Sequence, residues 1–311
     1  MALYDSAARL ICETPILRLR RFEDAYACRG EIYAKCEFLN PTGSIKDRPV
    51  LEMLRRAAAD GLLAEGGTAV MISGGAGGVS AAMICAALGL KCVVVSTDSL
   101  SLDDLRHIRA FGASVTMTPA RLGLAGMKNR AAEVAGRTPG AAILDIFSDP
   151  ANPSAHRLST GPEILRDLPD PDYFVAGIGT GGCVTGCGEY IKMHRSDCVI
   201  VGVEPHDSPV VSGGMPGPHT LTGIGPGFVP DALNKYILDK VVRVRTPDAL
   251  AAARQLALSE GLLCGPSSGA VLAASVFLAQ QPQDAPRKIV AVLPDRGEKY
   301  LDRETYGGKG R

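Results

Sequence analysis

Residues 68–95 read TAVMISGGAGGVSAAMICAALGLKCVVV, and this segment carries the clearest signal for the fold. Two apolar and β-branched runs, residues 68–72 and 91–95, enclose a glycine-rich turn and a longer segment at residues 79–88. A strand, a turn, a helix and a second strand in this order form the repeating unit of a parallel sheet covered by helices. The stretch therefore predicts an α/β fold.

The same alternation extends along the whole chain. Further strands are predicted at residues 32–36, 114–117, 173–176, 199–203, 241–244 and 289–293. Helices are predicted at residues 47–60, 79–88, 101–111, 124–135, 185–194, 247–260 and 269–280. Residues 147–153 contain two prolines and indicate a boundary near the midpoint. Residues 206–230 are rich in Gly and Pro, and their length indicates a functional loop.

The length and composition are those of a globular protein with two domains. The chain has 311 residues, about twice the ~150 residues of a typical domain. Apolar residues make up 46% and charged residues 21%, which excludes long disorder and a fibrous repeat. The 33 basic and 33 acidic residues give a formal net charge of 0, so no global field attracts nucleic acid or an anionic membrane. Any anion site must therefore be local.

The nine cysteines indicate reduced thiols in a cytosolic protein, because they follow no repeating framework. The close pair Cys183 and Cys187 lacks the second Cys or His pair of a structural zinc site, so no metal site is predicted. Residues 1–13 lack the pattern of a signal peptide, and no apolar run approaches the ~20 residues of a membrane span. We therefore expect a cytoplasmic protein that binds neither membranes nor nucleic acid.

Three glycine-rich turns each follow a predicted strand and precede a predicted helix. They are residues 73–78, 177–182 and 265–269. Unpaired N–H groups and the positive end of the helix dipole favour phosphate or carboxylate at such positions. Three such turns in one α/β protein point to a phosphorylated cofactor.

The second turn also fits a dinucleotide. Gly177, Gly179 and Gly182 satisfy the pattern G-x-G-x-x-G, and Glu204 ends the next predicted strand roughly 20 residues later. This is the NAD-binding fingerprint, and spacing alone does not exclude it.

One lysine stands at the entrance of a predicted helix, in the segment NPTGSIKDRP at residues 40–49. Together with the three turns and with LPDRGEKYL at residues 293–301, this segment resembles the cysteine synthase family of pyridoxal phosphate (PLP) enzymes. Further matching blocks lie at residues 14–19, 152–164, 202–205, 208–214 and 223–228, so the resemblance covers nearly the whole chain.

The resemblance implies the fold of the tryptophan synthase β subunit, fold type II: two open twisted α/β domains with PLP in the cleft between them. Residues 43–146 would form the smaller domain with the substrate loop. Residues 1–42 plus 147–311 would form the larger domain with the phosphate-binding turn. The family also implies a homodimer that acts on a small amino-acid substrate.

The resemblance also implies roles for individual residues. Lys46 matches the lysine that forms the Schiff base with PLP and then acts as the base at the substrate Cα. Ser267 matches the serine that hydrogen-bonds the pyridine nitrogen. The other residues implied to bind the cofactor are Gly75, Gly179, Thr180, Gly181, Gly182 and Cys183. Those implied to bind the substrate are Ile72, Ser73, Gly74, Ala76, Gly77, Ile146 and Gly225.

The chain departs from the family pattern around the substrate. Gly75 and Ala76 stand where the family has Asn and Thr, Ile146 where it has Gln, and Cys183 where it has Thr or Ser. In the family, the tail of serine acetyltransferase docks through the same carboxylate-binding loop, and the altered loop puts this partner in doubt here.

Three functions fit these residues. The first is β-replacement on an O-activated serine through an aminoacrylate intermediate, with a donor or nucleophile changed by the space at Gly75 and Ala76. The second is a β-elimination lyase, similar to a cysteine desulfhydrase, which would release pyruvate and ammonia. The third is a catalytically weak PLP-binding paralogue that acts as a partner. The retained Lys46 argues against the third.

Overall fold

The computed structural model describes residues 3–282, 285–301 and 304–307. The strands are β1 (Ile16–Arg18), β2 (Glu31–Cys36), β3 (Thr68–Ile72), β4 (Lys91–Thr97), β5 (Ser114–Thr118), β6 (Ala142–Asp145), β7 (Tyr173–Gly177), β8 (Val199–Pro205), β9 (Lys240–Val244) and β10 (Lys288–Leu293). The helices are α1 (Arg20–Ala25), α2 (Asp47–Ala59), α3 (Ala76–Ala87), α4 (Leu102–Ala110), α5 (Gly123–Gly136), α6 (Ala151–Ala155), α7 (Gly161–Asp167), α8 (Gly182–His194), α9 (Thr246–Glu260) and α10 (Pro266–Ala279). A π-helical segment, His156–Thr160, joins α6 to α7.

The chain forms two compact units. The small unit consists of the described residues within Met1–Cys12 and Asn40–Ala155, and the large unit of those within Glu13–Leu39 and His156–Arg311. This division differs from the predicted one at residues 43–146, because the small unit also includes the N-terminal segment. Ala8 and Ile11 in that segment are buried in the core of the small unit.

The sheet of the small unit has the strand order β5-β4-β3-β6, and all its neighbouring strands are parallel. Alternate residues of β3 point to opposite faces, as the two-residue period of a strand requires. Met71 belongs to a core shared with α2 and α3, whereas Val70 and Ile72 belong to a second core with α5. Helices therefore cover both faces, which explains why every residue of β3 is buried.

The sheet of the large unit has the order β1-β2-β10-β7-β8-β9. Its strands are parallel except β1, which pairs antiparallel with β2 at the edge. The main core lies between this sheet and α9 and α10 and contains Val201, Leu256 and Val271.

The predicted strands and helices are confirmed, and their ends differ from the predicted ones by no more than three residues. Four elements were missed: β1, β6, α1 and the helical stretch at residues 151–167. The boundary predicted at residues 147–153 overlaps α6, whereas the two units meet in sequence between Ala155 and His156. Within the described part of the chain, no helix combines the length and apolarity that a membrane span needs.

Candidate active site

Lys46 lies at the N-terminal end of α2 in the small unit, where it is the N-cap residue and is half-buried. Its backbone N–H donates to the Ser44 hydroxyl at 3.2 Å, and its carbonyl accepts from the N–H of Val50 at 3.2 Å. The backbone of Lys46 is thus held on both sides by the turn and by the first turn of the helix.

The next residue, Asp47, fixes this turn against α3. Its buried carboxylate accepts hydrogen bonds from the Thr42 N–H at 2.9 Å, the Thr42 hydroxyl at 2.5 Å and the Ser80 hydroxyl at 2.6 Å. Hydrogen bonds to a charged group are stronger than those between neutral groups. Asp47 therefore positions Lys46 by anchoring the turn on both sides, a role that the sequence analysis did not assign.

The predicted substrate loop follows β3 and leads into α3. Ile72 and Ser73 are buried, and the Ser73 N–H donates to the carbonyl of Val95 at 3.2 Å. The helix begins at Ala76 without a side chain that caps its first N–H groups. Unpaired N–H groups at a helix N-terminus suit a carboxylate, so the donors of this loop fit the predicted ligand.

Glycines shape this loop by close packing and by backbone conformation. A Cβ on Gly74 would lie 3.2 Å from the Ser96 Oγ, and one on Gly77 would collide with Ser73. Gly75 has φ 57° and ψ −130°, a conformation that other residues adopt only with strain. The family's Asn does not fit this backbone without a change in the loop.

A carboxylate lies beside the loop. Oδ2 of Asp104 is 3.4 Å from the position that a Cβ on Gly75 would take, and it accepts a hydrogen bond from the Ser101 hydroxyl at 2.7 Å. The same hydroxyl accepts from the Asp104 N–H at 3.1 Å and caps α4. The position next to Gly75 is therefore negatively charged.

Ile146 lies in the core of the small unit, with 1% of its surface exposed. Its Cδ1 is 3.5 Å from the position of a Cβ on Gly77, and its carbonyl accepts a 2.7 Å hydrogen bond from the Asn152 side chain. The structure thus brings Ile146, Ser73 and Gly77 together at the start of α3.

The second glycine-rich turn, residues 177–183, connects β7 to α8 in the large unit. Gly181 is the N-cap residue of α8 in a left-handed conformation (φ 83°), and no side chain caps the N–H groups of Gly182 and Cys183. A Cβ on Gly179 would collide with the carbonyl of Gly223. The turn needs glycine for its conformation and its packing, and its uncapped N–H groups fit a phosphate. Thr180, which is buried, adds a hydroxyl to this donor set.

The segment around Gly223 links this turn to the third one. A Cβ on Gly223 would lie 3.2 Å from the Ser267 Oγ, so the second turn and Ser267 approach the same glycine. Gly225 follows with φ 64°, and its carbonyl lies 2.9 Å from Nε2 of His219. The large unit therefore brings together the turn, Gly225 and Ser267.

Ser267 lies in the first turn of α10 and is buried. Its hydroxyl donates to Oδ1 of Asp295 at 3.2 Å, and the Tyr300 hydroxyl donates to Oδ2 at 2.5 Å. Lys299 adds an ion pair with the same carboxylate at 3.4 Å. Asp295 is therefore the centre of a buried polar network behind Ser267.

Two further residues of this region have structural roles. Burial raises the pKa of the Cys264 thiol above its usual range, and the nearby Asp295 raises it further. Glu204 is 1% exposed and accepts hydrogen bonds from the backbone of Val211 and Ser212 and from the Ser212 hydroxyl. The acidic residue of the dinucleotide fingerprint thus holds the 206–230 loop instead of a ribose.

Both units are of the α/β class, each has a helix N-terminus suited to an anion, and a lysine is held at the start of α2 in the small unit. The chain belongs to the pyridoxal-phosphate dependent enzyme family, whose sequence pattern matches residues 7–295. The predicted cofactor, PLP, is thereby confirmed, and so are the enzyme class and the α/β fold class.

Individual relatives narrow the class. A protein described as cysteine synthase B from Campylobacter jejuni is 41% identical over 307 residues, which cover 98% of this chain and 100% of that protein. The crystal structure of an O-ureido-L-serine synthase has a TM-score of 0.93 at 35% identity and covers 99% of this chain and 96% of that one. The structure of a hydrogen sulfide-producing enzyme from Fusobacterium nucleatum has a TM-score of 0.91 at 32% identity, with 96% and 100% covered. The predicted resemblance to cysteine synthases is confirmed.

Proposed function

We propose that this chain uses PLP to replace the β substituent of an O-activated serine-type amino acid, with Lys46 as the lysine that holds the cofactor. The observation that carries the proposal is the fixed position of Lys46 at the start of α2, next to the buried Asp47 network. The likeness of this chain to cysteine synthases and to an O-ureido-L-serine synthase supports the same reaction class.

Each group of residues has one task in this proposal. When bound, PLP withdraws electrons from the substrate Cα, so that its proton and then the β leaving group depart more easily. The Lys46 amine takes up that proton as a general base. The N-terminal N–H groups of α3 bind the α-carboxylate, and those of α8 bind the cofactor phosphate. Ser267 holds the ring nitrogen, and Asp295 orients Ser267.

We further propose that the donor or the nucleophile differs from O-acetylserine and sulfide. Gly75 and Ala76 offer no side-chain hydrogen bonds, and the Asp104 carboxylate lies beside Gly75. This arrangement removes side-chain donors and places a negative charge near the loop, which favours a neutral or cationic nucleophile over an anionic one. The same features argue against docking of the anionic tail of a serine acetyltransferase. A cytoplasmic homodimer completes the proposal, as the family resemblance implies.

The first experiment is a visible absorption spectrum of the purified holoenzyme before and after addition of O-acetylserine. Product analysis follows with sulfide and with hydroxyurea, which would give O-ureido-L-serine. A spectral change together with a β-substituted product supports the proposal. Pyruvate and ammonia formed without any nucleophile would instead establish the lyase. Bound PLP without turnover of any amino acid would favour the partner paralogue, and a protein that binds no PLP would overturn the assignment.

A further inference from the structure

His156, Cys183 and Cys187 form a cluster in the large unit, referred to here as the His156 cluster. One nitrogen of the imidazole and the two sulfur atoms all lie within 4.8 Å of one another. His156 is 2% exposed, Cys187 is buried and Cys183 is half-buried. Among the residues that the structure describes, this is the one group of three or more metal-ligand side chains found this close together.

Two neighbouring elements build the cluster. Cys183 and Cys187 lie four residues apart on α8, so their side chains occupy the same face of the helix. His156 begins the π-helical segment, which packs against α8. The helical stretch that begins at His156 can lie this close to α8 because Gly161 has no side chain. A Cβ on Gly161 would lie 2.9 Å from Cβ of Tyr190 on α8. Short π-helical segments are frequent at functional sites.

A hydrogen bond orients the imidazole. Nδ1 of His156 lies 2.9 Å from the hydroxyl of Thr160, which is itself buried. Metal-binding histidines almost always use one ring nitrogen for the metal and hydrogen-bond the other, which fixes the tautomer and the ring orientation. Thr160 is the residue that would do this here, with Nε2 as the ligand atom.

We propose that the His156 cluster binds one Zn²⁺ ion through two thiolates and one imidazole, with a fourth position open to a water molecule. Two thiolates and one imidazole are ligands that suit Zn²⁺. Zinc sites with three protein ligands and one water molecule are common, as are sites with four protein ligands. Ligand atoms on one tetrahedral Zn²⁺ lie roughly 3.5–3.8 Å apart. The separations in the cluster reach up to 4.8 Å, so the ligand side chains must move closer together as the ion binds.

Binding of Zn²⁺ to the cluster balances in charge and in protons. Each thiol transfers its proton to solvent as the Zn–S bond forms, so binding of one ion releases two protons. The two thiolates neutralise the two positive charges of the ion, and no oxidant or reductant is needed. Zn²⁺ affinity must therefore rise with pH.

The sequence spacing did not reveal this site. Cys183 and Cys187 lack a second ligand pair nearby in sequence, and the third ligand comes from a different helical segment. The zinc proposal does not rest on the catalytic proposal, but the two share Cys183, which belongs to the turn proposed to bind the cofactor phosphate. The test therefore measures PLP content and metal binding separately on the same holoenzyme.

The test is a titration of reduced holoenzyme with Cd²⁺, a spectroscopic substitute for Zn²⁺, which gives an ultraviolet charge-transfer band when thiolates bind it. We expect one Cd²⁺ per chain, displacement of the band by Zn²⁺, and tighter binding as the pH is raised. Cys187→Ala should lower the affinity by more than the roughly 10–100-fold that loss of an outer-shell partner costs. Thr160→Ala should lower it by about that factor.

Matched variants keep the test decisive. Cys198→Ala removes another buried thiol of the large unit, outside the cluster, and should leave the band unchanged. Cys183→Ser serves as the second ligand variant if Cys187→Ala fails to fold, as judged by thermal unfolding. A holoenzyme that contains PLP but shows no band, or a band that Cys187→Ala and Cys183→Ser both retain, overturns the zinc site and leaves the catalytic proposal intact. A protein that binds no PLP but still binds Cd²⁺ at the cluster supports the zinc site and overturns the catalytic proposal.

Discussion

Ser267 donates its hydroxyl proton to Asp295, with 3.2 Å between Oγ and Oδ1. A hydroxyl has one proton, so this bond leaves the lone pairs of Ser267 Oγ to face any further group. The Ser267 oxygen can therefore accept a hydrogen bond, and the carboxylate of Asp295 lies behind it. Tyr300 and Lys299 hold that carboxylate in place from the other side.

Replacement of Asp295 by Asn should change both the stability and the cofactor. The amide cannot accept from Ser267 and Tyr300 as the carboxylate does, so we expect a loss of about 1.5–3 kcal/mol in the free energy of unfolding. The visible absorption of bound PLP and its dependence on pH should also shift, because the amide is neutral and offers one acceptor oxygen where Ser267 and Tyr300 now use two. Tyr300→Phe is the control, since it keeps the Ser267–Asp295 bond. An unchanged cofactor spectrum in Asp295→Asn would show that Asp295 supports the fold only.

Lys46→Ala should abolish covalent attachment of the cofactor while the protein stays folded. Borohydride reduction of the wild-type holoenzyme should fix PLP to the peptide that contains Lys46, as detected by mass spectrometry. The variant should show no fixed cofactor. Lys192→Ala, which removes a surface lysine paired with Asp239, should behave as the wild type does. Fixation to any lysine other than Lys46 would refute the assignment.

Ser80→Ala tests the anchoring of the Lys46 turn. The variant deletes a 2.6 Å hydrogen bond to the buried Asp47 carboxylate and should lower the free energy of unfolding by about 1.5–3 kcal/mol. Ser275→Ala is the matched control, because it deletes a buried hydroxyl bonded only to the neutral carbonyl of Val271 at 2.8 Å. Its cost should be about 0.5–1.5 kcal/mol. Equal costs in urea denaturation would show that the charge of Asp47 contributes nothing.

Asp104→Asn tests the charge beside the substrate loop. Removal of a carboxylate near the proposed carboxylate site should lower KM for the amino-acid donor and leave kcat unchanged. Asp104 is half-exposed, so we expect no more than about 1 kcal/mol, or about five-fold. Asp103→Asn changes the same charge one residue away and should leave KM unaltered. A KM that both variants lower equally would point to net charge instead of position.

Two buried thiols make the stability depend on pH. Burial raises the pKa of Cys36 and of Cys198 from 9.0 to about 12. Above pH 9 the unfolded chain loses protons that the folded chain keeps, so stability falls as the pH rises towards about 12 and is unaffected by these thiols at lower pH. Each thiol contributes a slope of up to roughly 1.4 kcal/mol per pH unit. Urea denaturation at about pH 8 and about pH 10 measures the slope.

In that experiment Cys198→Ala should lose one thiol's share of the slope. Cys12→Ala, which removes a half-buried thiol of the small unit, provides the comparison. A slope that the Cys198 variant retains in full would contradict the burial effect.

Most of the fold could be predicted because its signals are local. Strands such as β3 and β4 show unbroken apolar runs, and helices such as α2 and α9 have enough turns to show their period. The strands β1 and β6 have three and four residues, too few for a period to be visible. The start of the helical stretch at residues 151–167 was missed because Pro150 and Pro153 were interpreted as a boundary, yet Pro153 lies in the first turn of α6, where proline is tolerated.

The residues of the candidate site fall into the same two groups, those with a local sequence signal and those without one. Lys46, the glycine turns and Ser267 were found from motifs, because each lies in a short segment whose residue types match a known pattern. Asp295 appeared only within the matching segment at residues 293–301, and Asp47, Ser80 and Asp104 were given no role. Their roles depend on hydrogen bonds or close approaches to residues 28–33 positions away.

Local periodicity and ordered motifs, which are properties of neighbouring residues, were enough to establish the α/β class, the family and the cofactor, and to predict Lys46 as the lysine that holds it. Three further contacts are visible in the folded chain alone: Glu204 holds a loop, Asp295 lies behind Ser267, and His156 lies close to Cys183 and Cys187. These contacts join elements that are separate in sequence. Which side chains meet there is decided by how close the elements can pack, as at Gly161 and Tyr190, and that distance is a property of the folded chain alone.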